Sequence, residues 1–95
     1  MTPSDITGII RVKARSREAV TFEGEAVAVT SINDRGEFDV LPNHANFISI
    51  IKDYIIIKKK DGQEQKIELK GPTVLKVWKN RVDIYLGLGN QLKPK

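Results

Sequence analysis

His44 is the side chain of this sequence best suited to proton transfer, because it is the only histidine among 95 residues. Its imidazole could act as a general base or bind a metal ion. Two carboxylates, those of Glu37 and Asp39, precede it closely in the chain. However, the chain has no cysteine, and no serine stands in a sequence context that suggests an activated nucleophile. We therefore do not expect a catalytic triad, and we expect no catalytic residue in this chain.

The acidic side chains could in principle form an acid–base pair or a metal site. Glu23, Glu25, Glu37 and Asp39 alternate with other residues along strand-like stretches, a pattern more typical of a solvated strand face. One histidine without cysteine argues against a zinc site. Gly87-Leu88-Gly89 is too short for a dinucleotide fingerprint, and no helix pattern follows it. We expect no metal and no cofactor.

The composition is that of an ordinary globular domain, with 40% hydrophobic and 29% charged residues. The length suits one domain. A net charge of +4 permits contact with nucleic acid or an anionic membrane without arguing for either. Met1–Asp5 lacks the pattern of a signal peptide, and no apolar run is long enough to cross a membrane. We therefore expect an intracellular protein.

The element that positions His44 is a short predicted strand that ends in a corner. Apolar and acidic residues alternate from Gly36 to Val40, which predicts a strand with one buried face. Pro42 has no N–H group and cannot continue a strand ladder. Asn43 tolerates the left-handed conformation that tight turns require. We expect His44 to lie on an exposed corner that is suited to binding.

Short strands separated by turn signals account for the rest of the chain. The predicted strands cover Ile9–Ala14, Ala26–Ile32, Phe47–Ile51, Tyr54–Lys60, Gln63–Lys70, Thr73–Trp78 and Arg81–Leu86. Between the first two, Val20 and Phe22 continue the apolar pattern until Phe22–Glu25 interrupts it. Gly24 predicts a bulge or a tight bend, and Asn33–Gly36 predicts a turn. No window has the pattern of an amphipathic helix. We therefore predict an all-β sandwich or barrel.

Two hairpins have turn signals strong enough to predict a register. A two-residue turn at Asp61-Gly62 would place two apolar pairs on the core face and one charged pair on the other. These pairs are Ile56–Ile67, Tyr54–Leu69 and Lys59–Glu64. A two-residue turn at Lys79-Asn80 would give the pairs Val77–Val82, Leu75–Ile84, Trp78–Arg81 and Lys76–Asp83. Trp78 could stack with Arg81 or anchor a partner, and the sequence leaves both open.

Two basic features bear on nucleic-acid binding. The first predicted strand carries cations on one face, namely Arg11, Lys13, Arg15 and Arg17. A solvated edge that resists edge-to-edge association is favoured there over a phosphate-binding stripe. The run Lys58–Lys60 ends a strand, and the predicted register gives Lys59 an acidic partner. The sequence therefore does not favour nucleic acid as a partner.

Several short motifs, in their order and spacing, resemble one known family. The motifs are Phe22-Glu23-Gly24, Gly36-Glu37-Phe38, Leu41-Pro42-Asn43-His44-Ala45, Asp61-Gly62, Leu69-Lys70-Gly71, Leu75-x-Val77 and Asn80-x-Val82. Together they are similar to the N-terminal domain of the epsilon subunit of bacterial F-type ATP synthases, which is called delta in mitochondria. The similarity extends over residues 8–88.

The resemblance implies a flattened β-sandwich of about ten short, mostly antiparallel strands over residues 8–88. Residues 1–7 would then be a loose N-terminal segment and residues 89–95 a mobile tail. It also implies a non-catalytic role in the central rotor of a proton-translocating ATP synthase, on the cytoplasmic side of the membrane. There the domain would dock on the gamma subunit and the c-ring and couple rotation to ATP synthesis.

The resemblance also assigns partner contacts to seven residues. Asp34, Arg35, Gly36 and Glu37 would face the polar loops of the c-ring, and Pro42, Asn43 and His44 would lie at the junction of gamma and the c-ring. Charges and turn atoms at such a corner would set the register of docking more than its affinity.

The sequence departs from the family pattern in ways that limit what can be transferred. Asn43 stands where the family usually has glycine, and Pro72 replaces the second glycine of a pair. Both changes are compatible with turns. The chain also stops where the family's C-terminal helical hairpin would begin, so the resemblance implies no inhibitory or nucleotide-binding role. A truncated chain, a natural short version and a sandwich reused as an adaptor or nucleic-acid-binding module all fit this ending.

Overall fold

The computed structural model describes residues 8–87, which form eight β-strands and no helix. The strands are β1 (Ile10–Arg15), β2 (Val20–Ala26), β3 (Ala28–Asn33), β4 (Gly36–Val40), β5 (Phe47–Lys58), β6 (Glu64–Glu68), β7 (Thr73–Trp78) and β8 (Arg81–Tyr85). This part of the chain accordingly holds no helix able to cross a membrane. The predicted N-terminal segment 1–7 and the predicted tail 89–95 lie outside the described residues.

Two sheets share strand β5. The first sheet has the order β2-β1-β8-β7-β5, and the second has the order β4-β3-β5-β6. Strands β1 and β8 run parallel, and every other neighbouring pair is antiparallel. The prediction of an all-β sandwich with mostly antiparallel strands is therefore confirmed.

Strand β5 is long because it passes from one sheet into the other. Its first part, Phe47–Ile51, pairs with β7, whereas its second part pairs with β3 and β6. Asp53 adopts a left-handed φ of 71° near the change of partner. The prediction of two separate strands on either side of Lys52-Asp53 is therefore wrong, since the polar interruption marks a change of sheet. This merging is one reason why eight strands are present rather than about ten.

The core lies between the sheets and takes alternate residues of most strands. Its buried hydrophobic side chains are Ile10, Val12, Ala14, Ala26, Val29, Val40, Ile51, Ile55, Ile57, Leu75, Val77, Val82 and Ile84. Burial of a side chain as large as Ile or Leu contributes about 1.5–3 kcal/mol. Phe22, Phe38 and Phe47 are half-buried and pack against this cluster from its rim.

The β5–β6 hairpin differs from the predicted register by one residue. Ile55 lies opposite Ile67, and Lys58 lies opposite Glu64. The connection is a three-residue loop between Lys59 and Gln63, whose N–H and C=O groups meet at 2.7 Å, and its last residue, Gly62, has a φ of 92°. Because a shift of one residue exchanges the two faces of a strand, the predicted pairs and the predicted core face of β5 are wrong. The core-facing residues predicted for the second strand of the hairpin, Ile67 and Leu69, do pack against the core. Ile55 and Ile57 are buried rather than Tyr54 and Ile56.

Strands β1 and β2 correct two further expectations. Strand β1 lies between β2 and β8, so it is an interior strand. The expectation that its cations protect an exposed sheet edge is therefore wrong. Gly24 pairs in register with Val12, and the irregularity of this ladder falls between Ala14 and Arg15 instead. The prediction of a bulge or a tight bend at Gly24 is therefore wrong. A Cβ at Gly24 would lie 3.4 Å from the Phe22 ring, so the absence of a side chain leaves room for that ring.

The β7–β8 hairpin confirms its predicted register in full. Its two turn residues, Lys79 and Asn80, have φ values of 49° and 62°, as a two-residue hairpin turn of the primed type requires. The four predicted pairs are present, and they are Val77–Val82, Leu75–Ile84, Trp78–Arg81 and Lys76–Asp83. The cation over the Trp78 ring is the neighbouring Lys79, whose Nζ lies 5.5 Å from the ring centroid.

Candidate docking surface

The seven residues predicted to contact partners lie at the two ends of strand β4. Asp34, Arg35, Gly36 and Glu37 form the β3–β4 turn and the start of β4, whereas Pro42, Asn43 and His44 follow its end. A strand rises about 3.4 Å per residue, so the two groups are about 15 to 20 Å apart. The structure therefore brings the residues of each group together but keeps the two groups separate.

The β3–β4 turn presents charged side chains on a fixed backbone. Asn33 pairs with Gly36 across the turn, and its Oδ1 accepts a hydrogen bond of 2.9 Å from the N–H of Arg35. Gly36 has a φ of 118°, a conformation that residues with a side chain rarely adopt. Asp34 is fully exposed and forms only a long contact of 3.9 Å with Lys52. Such an exposed ion pair contributes little to stability, so both charges remain available to a partner.

Glu37 and Asp39 project from the outer face of β4, and each carboxylate accepts a hydrogen bond from another strand of the same sheet. The Tyr54 hydroxyl donates to Glu37 Oε2. Thr30 Oγ1 donates to Asp39 Oδ1 at 2.6 Å. The hydrogen bond to Glu37 is the main cause that raises the pKa of Tyr54, since ionisation of the phenol would remove the donated proton. The two carboxylates thus belong to a hydrogen-bonded strand face.

The segment after β4 forms a tight turn that we call the corner loop, Leu41–Asn46. The His44 N–H donates to the Leu41 carbonyl at 3.1 Å, with Pro42 and Asn43 between them. Asn43 has a φ of 67°, as the third residue of a type II turn requires. The prediction that Asn43 can replace glycine at this turn is confirmed by its backbone conformation.

His44 lies exposed against the aromatic rim of the core. Its ring centroid is 5.0 Å from that of Phe47, and Phe47 meets Phe38 edge-on at 5.9 Å. Its Nδ1 is 2.9 Å from the carbonyl oxygen of Ala45, so this nitrogen carries the proton when it donates to that carbonyl. These contacts, an aromatic ring and a backbone carbonyl, orient the imidazole and supply no nucleophile.

The corner loop is attached to the tip of the β7–β8 hairpin, a contact that the sequence did not reveal. The Asn43 N–H donates to Asn80 Oδ1 at 2.6 Å, and Asn80 Nδ2 donates to Asn43 Oδ1 at 3.2 Å. A further bond of 2.9 Å runs from the Lys79 N–H to Asn46 Oδ1. In the sequence Asn80 carries only the signal of a turn residue, because its partner is 37 positions away.

Exposed apolar side chains lie beside the corner loop on the outer face of the first sheet. This apolar patch consists of Ile48, Ile50 and Trp78, of which 68%, 50% and 50% of the surface is exposed. A shallow cavity of about 480 Å³ lies among Asn46, Phe47, Ile48, Lys76, Val77 and Trp78 and joins the patch to the loop. The sequence carries two signals for this patch: Trp78, for which a role as a partner anchor is left open, and the apolar residues on both faces of Phe47–Ile51.

The basic face of β1 is matched by acidic residues of the neighbouring strands. Lys13 lies between Glu23 of β2 and Asp83 of β8. Arg11 lies opposite Glu25, with a distance of 3.7 Å between their charged groups. Because each of these two cations has a carboxylate beside it, this face favours cross-strand charge pairing over a phosphate-binding stripe.

Comparisons with known proteins agree on one family. Residues 9–86 match the family described as ATP synthase, Delta/Epsilon chain, beta-sandwich domain. The chain is 34% identical over 59 residues to the ATP synthase epsilon chain of a Nitratiruptor species, covering 61% of this chain and 46% of that one. It is 38% identical over 56 residues to the ATP synthase epsilon chain of Maricaulis maris, covering 59% and 42%.

The fold also matches a solved structure. A chain in the cryo-EM structure of the Euglena gracilis mitochondrial ATP synthase (OSCP/F1/c-ring) superposes with a TM-score of 0.76 at 16% identity, covering 83% of this chain and 51% of that chain. The present chain spans about half the length of the relatives it matches. The family match extends over nearly all of the described residues, and the chain therefore belongs to the family of ATP synthase delta and epsilon chain β-sandwich domains.

Proposed function

We propose that this domain is a non-catalytic component of the central stalk of an F-type ATP synthase. In that place it docks on the gamma subunit and the c-ring and helps to couple rotation to ATP synthesis. Family membership and the likeness to a chain of an assembled ATP synthase support this role. The domain is peripheral, held at the cytoplasmic surface of the membrane through the complex.

The apolar patch beside the corner loop is the observation that carries the proposal. Ile48, Ile50 and Trp78 lie on the outer face of a sheet, where they do not contribute to the core. Contiguous exposed apolar side chains mark interaction sites, and tryptophan is prominent among residues that dominate binding energy. The patch supplies affinity for gamma, and the polar corner loop with His44 supplies register.

The opposite end of β4 suits a second partner of a different kind. Asp34, Arg35 and Glu37 present charges on a rigid turn. Charged groups of this kind pair with polar loops and add little buried apolar area. We assign this end to the loops of the c-ring, so that β4 separates the two contacts.

A shared strand gives the domain the stiffness that a rotor component needs. Strand β5 contributes to both sheets, so relative sliding of the sheets would break its hydrogen bonds to β7 or to β3. A force applied at the β3–β4 turn is therefore transmitted to the apolar patch through continuous hydrogen-bonded strands.

Titration of the chain against purified gamma subunit from the same source tests this function. We expect saturable binding that is weakened in the variant His44→Ala. Glu64→Gln, an exposed change on β6, is the control and should bind like the wild type. The variant Glu37→Gln should leave gamma binding nearly intact and weaken association with complexes that contain the c-ring. If the wild-type chain does not associate with gamma at all, the proposal is rejected.

A further inference from the structure

Asn80 is a buried polar side chain whose amide group bonds to a single residue of the corner loop. Only 7% of its surface is exposed. Its Oδ1 accepts the Asn43 N–H at 2.6 Å, and its Nδ2 donates to Asn43 Oδ1 at 3.2 Å. Its own backbone carbonyl accepts the N–H of Arg11 at 2.9 Å. The residue therefore joins the loop, its own hairpin and strand β1.

The turn that contains Asn80 does not require these side-chain bonds. A primed two-residue turn needs positive φ at both central positions, and glycine meets that need as well as asparagine. The φ of 62° at Asn80 is thus explained by turn chemistry. The turn does not explain why the amide is buried and paired reciprocally with Asn43. These two features indicate that the Asn80 side chain serves the corner loop.

A second bond fixes the other end of the loop to the same hairpin tip. Lys79, the first turn residue, donates its N–H to Asn46 Oδ1 at 2.9 Å. The two turn residues therefore hold Asn43 and Asn46, and His44 lies between these two attachment points. The backbone of His44 is therefore held from both sides, while its imidazole ring contacts the Phe47 ring at a tilt of 46°.

We infer that Asn80 is a positioning residue for the docking surface, which holds Asn43 in its left-handed conformation and so sets the direction in which Pro42 and His44 face the gamma subunit. This inference rests on the proposed function. Asn80 does not itself contact the partner, because its side chain is buried against the loop. It acts by reducing the number of loop conformations available before binding, which lowers the entropic cost of association.

The chemistry of the Asn43–Asn80 pair allows a reciprocal test. In Asn80→Asp, a carboxylate oxygen still accepts the Asn43 N–H, but no group donates to Asn43 Oδ1, and two oxygens face each other. In Asn43→Gly that oxygen is gone, whereas the N–H and the positive φ are kept. Asn80→Asp should therefore weaken gamma binding by about 5- to 10-fold in the wild-type background. In the Asn43→Gly background it should change binding by less than about 2-fold.

Two controls separate positioning from charge and from loss of fold. Gln63→Glu adds the same charge at the distant β5–β6 loop and should leave affinity for gamma unchanged. Asn80→Gly keeps the turn conformation and removes both side-chain bonds, and it should accelerate amide hydrogen exchange at Asn43 and His44. If Asn80→Asp binds like the wild type, or weakens binding equally in both backgrounds, the inference is overturned.

The exchange measurement keeps this inference separable from the proposed function. If the wild-type chain does not bind gamma, the proposed function fails. The amide exchange rates of Asn43 and His44 then test by themselves whether Asn80 holds the corner loop in place. Faster exchange in Asn80→Gly at unchanged core protection supports that role. Unchanged exchange at both amides refutes it.

Discussion

At the scale of single residues, a hydrogen bond on the outer face of the second sheet changes the pKa of a tyrosine. The Tyr54 hydroxyl donates to Glu37, and this bond is the largest of the causes that raise the pKa of Tyr54, followed by desolvation and the negative charges of Glu37 and Asp53. The folded state therefore favours the protonated phenol more than the unfolded state does. The associated stability is present below the unfolded pKa, about 10, and is lost as pH rises through the higher folded pKa.

Removal of the carboxylate should lower the pKa of Tyr54. In Glu37→Gln the acceptor is weaker and its charge is absent, so we expect Tyr54 to ionise closer to its ordinary pKa of about 10. Ultraviolet absorbance of the phenolate measures the titration, and Tyr54→Phe identifies which of the two tyrosine transitions belongs to Tyr54. An identical Tyr54 midpoint in wild type and Glu37→Gln would show that the hydrogen bond does not form in solution.

The backbone conformation of Asn43 leads to a second prediction at this scale. With a φ of 67°, this position accommodates glycine and penalises residues that carry a Cβ without a local hydrogen bond. We expect Asn43→Ala to be less stable than Asn43→Gly by about 1–2 kcal/mol in denaturant unfolding. Both variants lack the side-chain oxygen, so the difference isolates the backbone term. Equal stabilities would contradict the left-handed turn.

At the scale of strands, the two hairpins show what local pattern can and cannot determine. Lys79-Asn80 can adopt positive φ at both positions, and the charged residues Lys76 and Asp83 mark the outer face of the flanking strands, so one register satisfies both requirements. Asp61-Gly62 fits either a two-residue turn or the end of a three-residue loop. Since Ile55, Ile56 and Ile57 are all apolar, burial could not distinguish between the two registers. The correct pairing depends on contacts with β3, which are distant in sequence.

The observed register of β5 can be tested by truncating adjacent isoleucines. Ile55 is fully buried and Ile56 only half-buried on the opposite face. Ile55→Ala should cost about 2–5 kcal/mol of unfolding free energy. Ile56→Ala should lower the unfolding free energy clearly less, because removing a half-buried side chain on the outer face creates no cavity in the core. Denaturant unfolding of the two variants measures both values, and a larger loss for Ile56→Ala would restore the register predicted from the two-residue turn.

At the scale of the whole molecule, the sequence predicted only part of the candidate docking surface that the structure shows. The corner loop and the β3–β4 turn were found from local signals, namely Pro42, the lone His44 and the Asn33–Gly36 turn. Of the apolar patch, only Trp78 was considered as a partner anchor, and the Asn43–Asn80 pair was not found. Both arise from strands brought together by the sheet order, as when Ile48 of β5 meets Lys76 of β7. No local pattern contains that information.

The charge distribution over the molecule makes a prediction about nucleic acid. Arg11 and Lys13 of β1 lie beside Glu23, Glu25 and Asp83, so the charges of these two cations are already matched by carboxylates of the neighbouring strands. We expect no change in the fluorescence anisotropy of a labelled single-stranded oligonucleotide at low salt. Salt-dependent binding that is lost in Arg11→Ala would favour a nucleic-acid-binding module instead.

The central claim, that the apolar patch beside the corner loop binds the gamma subunit, is tested most directly by a matched pair of substitutions. Ile48 belongs to the patch, whereas Val20 is a similarly exposed apolar residue, 48% exposed, on edge strand β2 of the same sheet. Calorimetric titration with purified gamma should show that Ile48→Asp weakens binding by roughly 30-fold or more, whereas Val20→Asp changes it by less than about 2-fold. Equal effects of the two substitutions, or none from Ile48→Asp, would contradict the assignment of this surface.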